Sequence, residues 1–341
     1  MNKMHKQLDV VSLENWFLKN QRKLPFRNTK NPYAIWISEI MLQQTKMDTV
    51  IPYYNQFMKK YPTVFALSKT TQEDLLKTVE GIGYYRRFKL MLEAAQVIVK
   101  NYQGIFPSTY KDILNLPGIG KYTAGAIMSI AYNKPYAATD GNVVRVLSRI
   151  YNISKDMRIE SNKTKIHELN QSLIETANPN IYTESLMELG ALICLSNNPL
   201  CKTCPINHSC LAFEHHLENK LPIISKLPKK NTYNYICLII HKDNQIFLRK
   251  RTESLLEGMY EYPQILASSF KHAKQQLQIE GIEVNLLSKE KTYKHIFTHQ
   301  KWLIDVYHVS LISKGKTDWI LVDMKDISKY PMAKAHRQIQ I

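Results

Sequence analysis

The chain is 341 residues long and carries 46 Lys and Arg against 29 Asp and Glu, a formal net charge of +17. Hydrophobic residues make up 44% of it, with 11 Gly and 14 Pro, which excludes disordered, collagen-like and low-complexity classes. The length predicts two ordinary domains. The charge favours a nucleic acid as partner, although a generally basic proteome would produce the same balance.

The sequence shows neither the pattern of a secretory signal peptide nor that of a membrane span. The start, MNKMHKQLDVVSLENWF, has no apolar run ahead of a small-residue cleavage site. No later segment approaches the roughly 18 uninterrupted apolar residues of a membrane span. We therefore expect a soluble, cytoplasmic protein.

The first 215 residues read as successive helices separated by Pro, Gly and Asn. One helix is signalled by Asn31-Pro32, a capping residue followed by Pro at the first helical position. Another follows Thr139-Asp140, where apolar residues keep helical spacing. This part of the chain is predicted to be all-α.

The pattern changes at residues 218–232, where two Leu-Pro pairs and a Lys pair interrupt the periodicity and predict a linker. Beyond it, YNYICLII, QIFLRKR and KHIFTHQKWLIDVYHVSLI are β-branched and aromatic runs bounded by turn residues. The sequence therefore predicts an all-α domain over residues 1–217 and a smaller α+β domain over residues 233–341.

Four of the five cysteines are crowded together: Cys194, Cys201, Cys204 and Cys210 are separated by six, two and five residues. Without a secretory signal, thiolate ligation of a metal is favoured over disulfides. Zinc sites with four cysteines usually have two C-x2-C pairs, so the unequal gaps favour an iron-sulfur cluster without excluding zinc. Cys237, in an apolar run, is expected to be a buried apolar side chain.

The segment LPGIGKY (116–122) lies between predicted helices over 108–115 and 122–132. Gly118 and Gly120 would let a phosphate approach the amides at a helix start. An ordinary tight turn between packed helices explains the same residues, so this hairpin alone does not decide for DNA.

Two carboxylates are candidates for acid-base chemistry. Asp140 precedes a helix, whose amides and dipole favour the carboxylate anion, and an anion there could stabilise a cationic sugar. Glu39 is flanked by apolar residues, and burial of that face would raise its pKa towards the range of a general acid. Taken separately, an N-cap and an exposed helical glutamate are the simpler interpretations.

Five features occur together: SEIMLQQT (38–45), GIGYY (81–85), LPGIGKYTAGAI (116–127), DGNVVRVLSR (140–149) and the cysteine pattern. The combination closely resembles the MutY family of adenine DNA glycosylases, in the helix-hairpin-helix superfamily that also contains endonuclease III. The resemblance spans nearly the whole chain and implies a 4Fe-4S cluster at 194–210 and a Nudix-like second domain. That domain lacks the REx2E group after Gly258, so we expect it to bind rather than hydrolyse.

The resemblance implies a monofunctional enzyme that flips out adenine paired with 8-oxoguanine, or more weakly with guanine, and removes it from double-stranded DNA. Glu39 would protonate a purine ring nitrogen and Asp140 would stabilise the oxocarbenium-like sugar. By the same resemblance, support of this pair falls to Tyr122 and Asn142, and the adenine pocket to Arg27, Leu42 and Glu184. Insertion into the duplex falls to Gln44, Ile82 and Tyr84, and contact with the DNA backbone to Gly118 and Gly120. Inspection of 8-oxoguanine falls to Phe297, Thr298 and His299. Thr298 stands where the family has Ser. A monomer associated with the nucleoid is expected.

The alternative is a bifunctional endonuclease III-like glycosylase and lyase acting on damaged pyrimidines. Such relatives carry a Schiff-base lysine in the hairpin motif, where this chain has Tyr122, with Lys121 one place earlier. Because strand cleavage needs an amine nucleophile, Tyr122 favours the monofunctional reaction.

Overall fold

The computed structural model describes residues 7–340 and divides into two compact units. The first unit contains Leu90–Leu227 and the described residues before Lys69, and the second contains Lys69–Lys89 together with the described residues from Pro228 onward. The predicted boundaries at 217 and 233 stay a prediction, and the predicted limits at residues 1 and 341 lie outside the described residues. The structure thus groups a short segment, 69–89, with the C-terminal part of the chain.

The helices of the described chain include both predicted ones. They are α1 (Val10–Asn20), α2 (Pro32–Leu42), α3 (Met47–Lys60), α4 (Val64–Ser68), α5 (Gln72–Thr78), α6 (Arg86–Tyr102), α7 (Tyr110–Leu114), α8 (Lys121–Ala126), α9 (Gly141–Ile150), α10 (Glu160–Ile174), α11 (Pro179–Leu192), α12 (Leu211–Glu214), α13 (Phe270–Ile279) and α14 (Lys334–Arg337). No helix among the described residues is long and apolar enough to cross a bilayer.

The two predicted caps are confirmed. The Asn31 side chain accepts a hydrogen bond from the Tyr33 amide and starts α2, and Asp140 accepts one from the Val143 amide, at 2.8 Å, and starts α9. Every residue from Tyr33 to Met41 is buried, so α2 is enclosed on all sides rather than amphipathic. Glu39 lies in this buried stretch.

The predicted hairpin forms with different bounds. Its first helix, α7, is shorter than predicted, and the helical segment predicted over 122–132 is confirmed within one residue at each end: α8 continues from Ala126 as a π-helical turn, Ile127–Ala131. A π-turn adds a residue per turn, so the second half of the segment leaves the α-helical face that the spacing implied. Gly118, with φ +74, sits in the turn, and a Cβ there would lie 2.7 Å from the Leu90 Cβ.

The first unit packs α9, α10 and α11 with α1 around one core. The buried members of this core include Leu13 of α1, Val146 of α9, Ile166 of α10 and Leu186 of α11. At one point α9 and α11 approach so closely that a Cβ on Gly190 would lie 2.7 Å from the Asn142 Cβ. This contact places the start of α9 against the end of α11.

The second unit contains a mixed sheet. Its strands are β1 (Asn231–Lys242), β2 (Gln245–Lys250), β3 (Tyr260–Glu261), β4 (Gln264–Leu266), β5 (Ile282–Ile296), β6 (Gln300–Lys314) and β7 (Ile320–Asp323). Within the described residues the order is β3-β2-β1-β6-β5, with β4 paired to β1 and β7 to β2. The pair of β1 with β6 is parallel and the other pairs are antiparallel.

Both faces of this sheet are covered. Cys237 and Ile239 of β1 face one core, and Ile236, Leu238 and Ile240 face the other. Burial on both faces explains why the run YICLII is continuously apolar instead of alternating. The prediction that Cys237 is a buried apolar side chain is confirmed, since it is fully buried. The α+β class predicted for this part is confirmed as well.

Candidate active site

A cavity of about 620 Å³ in the first unit, here called the carboxylate pocket, collects most of the predicted site residues. It is lined by residues of α2, α8, α9 and α11 and by the segments around Arg27 and Gln44. The predicted residues that line it are Arg27, Glu39, Leu42, Gln44, Tyr122, Asp140, Asn142 and Glu184. The structure therefore brings together residues spread over more than 150 positions of sequence.

Glu39 projects from the buried helix α2 and is only 6% exposed. Its Oε2 accepts a hydrogen bond of 2.5 Å from the Tyr122 hydroxyl. Burial raises the pKa of Glu39 to about 7, helped by the nearby charges of Asp140 and Glu184 and opposed by the Tyr122 hydrogen bond. At neutral pH a large fraction of this carboxyl is therefore protonated, which is the state a general acid requires.

Asp140 has both carboxylate oxygens occupied. Oδ1 accepts from the Val143 amide at 2.8 Å, and Oδ2 accepts from the Asn142 side-chain amide at 2.9 Å. Capping alone predicts a lowered pKa, but here burial outweighs these hydrogen bonds and raises the pKa of Asp140 above its usual value. The hydrogen bonds hold the carboxylate in one orientation at the start of α9.

Asn142 is in turn held by Arg145, which the sequence analysis did not single out. One Arg145 terminal nitrogen donates to the Asn142 Oδ1 at 2.9 Å and to the Gly190 carbonyl at 2.8 Å, and its Nε donates to the Cys194 carbonyl at 2.8 Å. A continuous chain of hydrogen bonds thus runs from Asp140 to the backbone of the first crowded cysteine. Arg145 and Arg149 are four residues apart in DGNVVRVLSR, and this spacing could have placed them on one helix face.

Two arginines and two glutamates form a largely buried ionic cluster on the pocket wall. Arg27 donates from Nε to the Glu184 Oε1 at 3.1 Å and pairs with Glu188 through its terminal nitrogens. Arg22 forms a second pair with Glu188. Arg22 and Glu188 were not predicted as site residues; the i, i+4 spacing of Glu184 and Glu188 was the available signal.

The four crowded cysteines line a separate cavity of about 30 Å³, here called the cysteine cavity. They lie on the loop after α11 and on the turns that lead into α12, and none is in a disulfide. Arg149, 2% exposed, donates to the Cys194 Sγ at 3.2 Å and to the carbonyls of Leu195, Ser196 and Leu221. Four soft sulfur donors that line one cavity fit an iron-sulfur cluster or zinc. The described residues contain no cluster of three or more His, Cys, Asp or Glu arranged for a single ion.

Of the other predicted residues, Gly118 lies in the hairpin turn and the exposed Gly120 precedes α8 in the first unit, whereas the rest belong to the second unit. Phe297, Thr298 and His299 form the turn between β5 and β6, where Thr298 and His299 are exposed. The Thr298 hydroxyl lies 2.7 Å from the hydroxyl of Tyr84, whose side chain is 47% exposed. Ile82 is only 6% exposed, so its insertion into a duplex stays a prediction.

Comparison with known proteins identifies both parts of the chain. The profile of the HhH-GPD superfamily of base excision DNA repair proteins matches residues 37–175, and the NUDIX domain profile matches residues 235–340. The adenine DNA glycosylase of Buchnera aphidicola subsp. Baizongia pistaciae (strain Bp) is 36% identical over 322 residues, which cover 89% of this chain and 88% of the relative.

Solved structures show the same fold for the first part. The structure of a thermostable thymine-DNA glycosylase is similar with a TM-score of 0.55 and 31% identity, covering 60% of this chain and 95% of the other. A trapped endonuclease III-DNA covalent intermediate matches with a TM-score of 0.51 and 20% identity, covering 61% and 95%. With the identity and coverage of the Buchnera relative, the chain belongs to the adenine DNA glycosylase family.

Proposed function

We propose that this protein binds double-stranded DNA and hydrolyses the N-glycosidic bond of adenine paired with 8-oxoguanine, or more weakly with guanine, to leave an abasic site. The observation that carries the proposal is the pair of carboxyls in the carboxylate pocket. Glu39 is buried with a pKa near 7, and Asp140 is held by two hydrogen bonds at the start of α9. Family membership supports adenine as the base removed.

In this proposal the two carboxyls have separate tasks. A protonated Glu39 donates its proton to a purine ring nitrogen and so makes adenine a neutral leaving group. The ionised Asp140 then faces positive charge that develops on the sugar, and its fixed orientation means that little reorganisation is needed. The short Tyr122 hydrogen bond keeps the Glu39 carboxyl aligned.

A cavity of about 620 Å³ supports base flipping as the way to reach the bond, because an adenine stacked in a duplex is inaccessible. Arg27, Leu42 and Glu184 are proposed to contact the flipped base and Gln44 to occupy the duplex. Gln44 has a φ of +56, a strained conformation for a residue other than glycine, which is common at functional loops.

The proposal includes a monofunctional reaction. The residues that line the pocket in the described chain include no lysine, and Lys121 is exposed. Since strand cleavage through a Schiff base needs an amine at the sugar, this arrangement supports hydrolysis without lyase activity.

A single-turnover incubation tests the function. Duplexes would carry A opposite 8-oxoguanine, A opposite T, or a damaged pyrimidine, each sampled with and without alkali. We expect cleavage of the first duplex only, and mainly after alkali. Alkali-independent cleavage at the damaged pyrimidine, with efficient borohydride trapping, would instead support the endonuclease III-like alternative.

We further propose that Cys194, Cys201, Cys204 and Cys210 hold a 4Fe-4S cluster, supported by their shared cavity and unequal spacing. When bound, the cluster would brace the loop between α11 and α12. The metal content of the purified protein tests this: we expect iron, and substitution Cys201→Ser should lower the iron content and DNA affinity more than the chemical step. Zinc without iron would overturn the assignment.

For the opposite strand, we propose that Phe297, Thr298 and His299 inspect 8-oxoguanine together with Tyr84. The hydrogen bond between the Thr298 and Tyr84 hydroxyls supports a shared task, because both side chains are exposed at one place in the second unit. Thr298→Val should reduce the preference for 8-oxoguanine over guanine in single-turnover rates. An unchanged preference would contradict the role of Thr298.

A further inference from the structure

Glu188 is the most heavily bonded carboxylate of the pocket wall. Its side chain is 1% exposed, and it accepts hydrogen bonds from the Arg22 backbone amide at 2.8 Å, the Arg22 Nε at 2.9 Å and an Arg22 terminal nitrogen at 2.8 Å. The two terminal nitrogens of Arg27 lie 3.0 and 3.2 Å from its two oxygens. These bonds outweigh burial and lower the pKa of Glu188 to about 2, so it is a fixed anion.

Glu184, one turn earlier on the same face of α11, has an opposite environment. In the part of the chain that the structure describes, its hydrogen bond comes from the Nε of Arg27, at 3.1 Å. Burial raises the pKa of Glu184 above its usual value, although Arg27 opposes the shift. The two glutamates differ because Glu188 accepts three hydrogen bonds from Arg22 and faces both terminal nitrogens of Arg27, whereas Glu184 receives the Arg27 Nε.

This asymmetry matters for the chemistry of base recognition. Adenine presents an exocyclic amine, a donor, beside ring nitrogens, which are acceptors. A carboxyl that is not fully engaged by a guanidinium can accept from the amine and, when protonated, donate to the ring nitrogen. A carboxylate held by both terminal nitrogens of an arginine has no such capacity left.

We propose that Glu188 is a positioning residue for base specificity: by holding Arg22 and Arg27 it keeps Glu184 available to the exocyclic amine of the flipped adenine. This rests on the proposed adenine excision. Without the Glu188 charge, Arg27 would turn its terminal nitrogens to Glu184 and occupy it. Because this role concerns the exocyclic amine alone, the loss of Glu188 should slow the excision only of bases that carry such an amine.

The experiment compares Glu188→Gln with the wild-type protein on two duplexes that differ by one amine. One carries adenine opposite 8-oxoguanine, and the other carries the purine deoxynucleoside, which lacks the exocyclic amine, opposite 8-oxoguanine. Loss of one charged hydrogen-bond partner predicts a fall of about 30-fold in single-turnover rate with adenine and of less than about 3-fold with purine. Equal losses on the two duplexes would overturn the inference.

Thermal unfolding would reveal whether Glu188→Gln folds. A second variant tests the proposal if it does not. Arg22→Ala removes two of the side-chain bonds that hold Glu188, at a residue whose side chain is 32% exposed, so the fold should tolerate it. Because Arg22 fixes the orientation of the Glu188 carboxylate, its loss should weaken the pairing of Glu188 with Arg27 and give the same selective loss with adenine, smaller in size since the Glu188 charge remains. If folded Arg22→Ala changes the rates on the two duplexes by the same factor relative to wild type, the proposal is contradicted. Wild-type protein that leaves the adenine duplex intact would overturn the proposed function itself.

Discussion

Helix α9 borders two cavities with opposite character. At its start, Asp140 and Asn142 line the carboxylate pocket of about 620 Å³, and further along Val146, Arg149 and Ile150 line the cysteine cavity of about 30 Å³. The large cavity leaves room for a base and holds carboxyls whose pKa values are raised by burial. The small one has its buried charge, Arg149, satisfied by four acceptors.

The difference divides α9 into a start whose residues serve the reaction and a later part whose residues stabilise the fold. Carboxyls that line the pocket and have pKa values raised by burial can act on a substrate as an acid or as an anion, so changes there should alter rates more than stability. A buried guanidinium such as that of Arg149, whose nitrogens all donate hydrogen bonds to the protein, is a structural group. Its removal should alter stability more than rates. The following substitutions test this division.

The largest effect is expected for Glu39→Gln. Removing the acidic proton should lower the single-turnover rate on the duplex with adenine opposite 8-oxoguanine by about 1,000-fold, the range of general acid catalysis. The thermal unfolding midpoint should not fall, because an amide replaces a buried carboxyl whose ionisation is unfavourable at that site. A variant that retains most of its rate would remove Glu39 from the chemistry.

Asp140→Asn should lower the same rate by about 100-fold or more, since an amide cannot stabilise a cationic sugar. Asn and Asp are comparable N-caps, so α9 should be retained, with a loss of stability of about 1 kcal/mol because the amide nitrogen replaces the oxygen that accepts from Asn142. A folded variant that binds the duplex and remains nearly as active as the wild type would show that the assignment of Asp140 is wrong.

Arg149→Met tests the cysteine cavity. It leaves three carbonyls and the Cys194 Sγ without their donor, which predicts a loss of about 3 kcal/mol in the free energy of unfolding. Chemical denaturation measures this loss. The rate per folded molecule should stay within about 3-fold of the wild type. A large loss of rate in stable, folded Arg149→Met would break the division between the two cavities.

Arg145→Met is the matched control, one turn closer to the start of α9. Because Arg145 orients Asn142 and through it Asp140, the single-turnover rate should fall by about 10-fold. Its effect on the rate should exceed that of Arg149→Met. The reverse order would show that Asp140 is positioned without Arg145.

The pH dependence of the wild-type rate should show two limbs. The active Glu39 is protonated and its pKa is about 7, so the rate should fall as the pH rises above about 7, by tenfold per unit. Asp140 must be ionised, and its raised pKa places the acid limb above the usual range for aspartate. Single-turnover rates at saturating enzyme measure both limbs, and a rate that rises through pH 8 would contradict the role of Glu39.

Local features of the fold were predictable because their causes lie within a few residues. The caps Asn31 and Asp140 are confirmed, since a capping side chain bonds an amide two or three positions away. The apolar run around Cys237 predicted a strand, and β1 contains it. The helical segment over 122–132 was predicted, but its change to a π-helical turn from Ile127 to Ala131 was not, because that turn has no signal in the spacing of apolar residues.

The sequence by itself determined the class of both parts, the crowding of the four cysteines and the residue types that the chemistry needs. Only the tertiary structure decided the protonation of Glu39, since its burial and its bond to Tyr122 join positions 83 residues apart. The same is true of the Arg22 and Glu188 pair, separated by 166 residues. A pKa depends on solvation and on charges brought near by folding, and neither quantity is contained in local spacing.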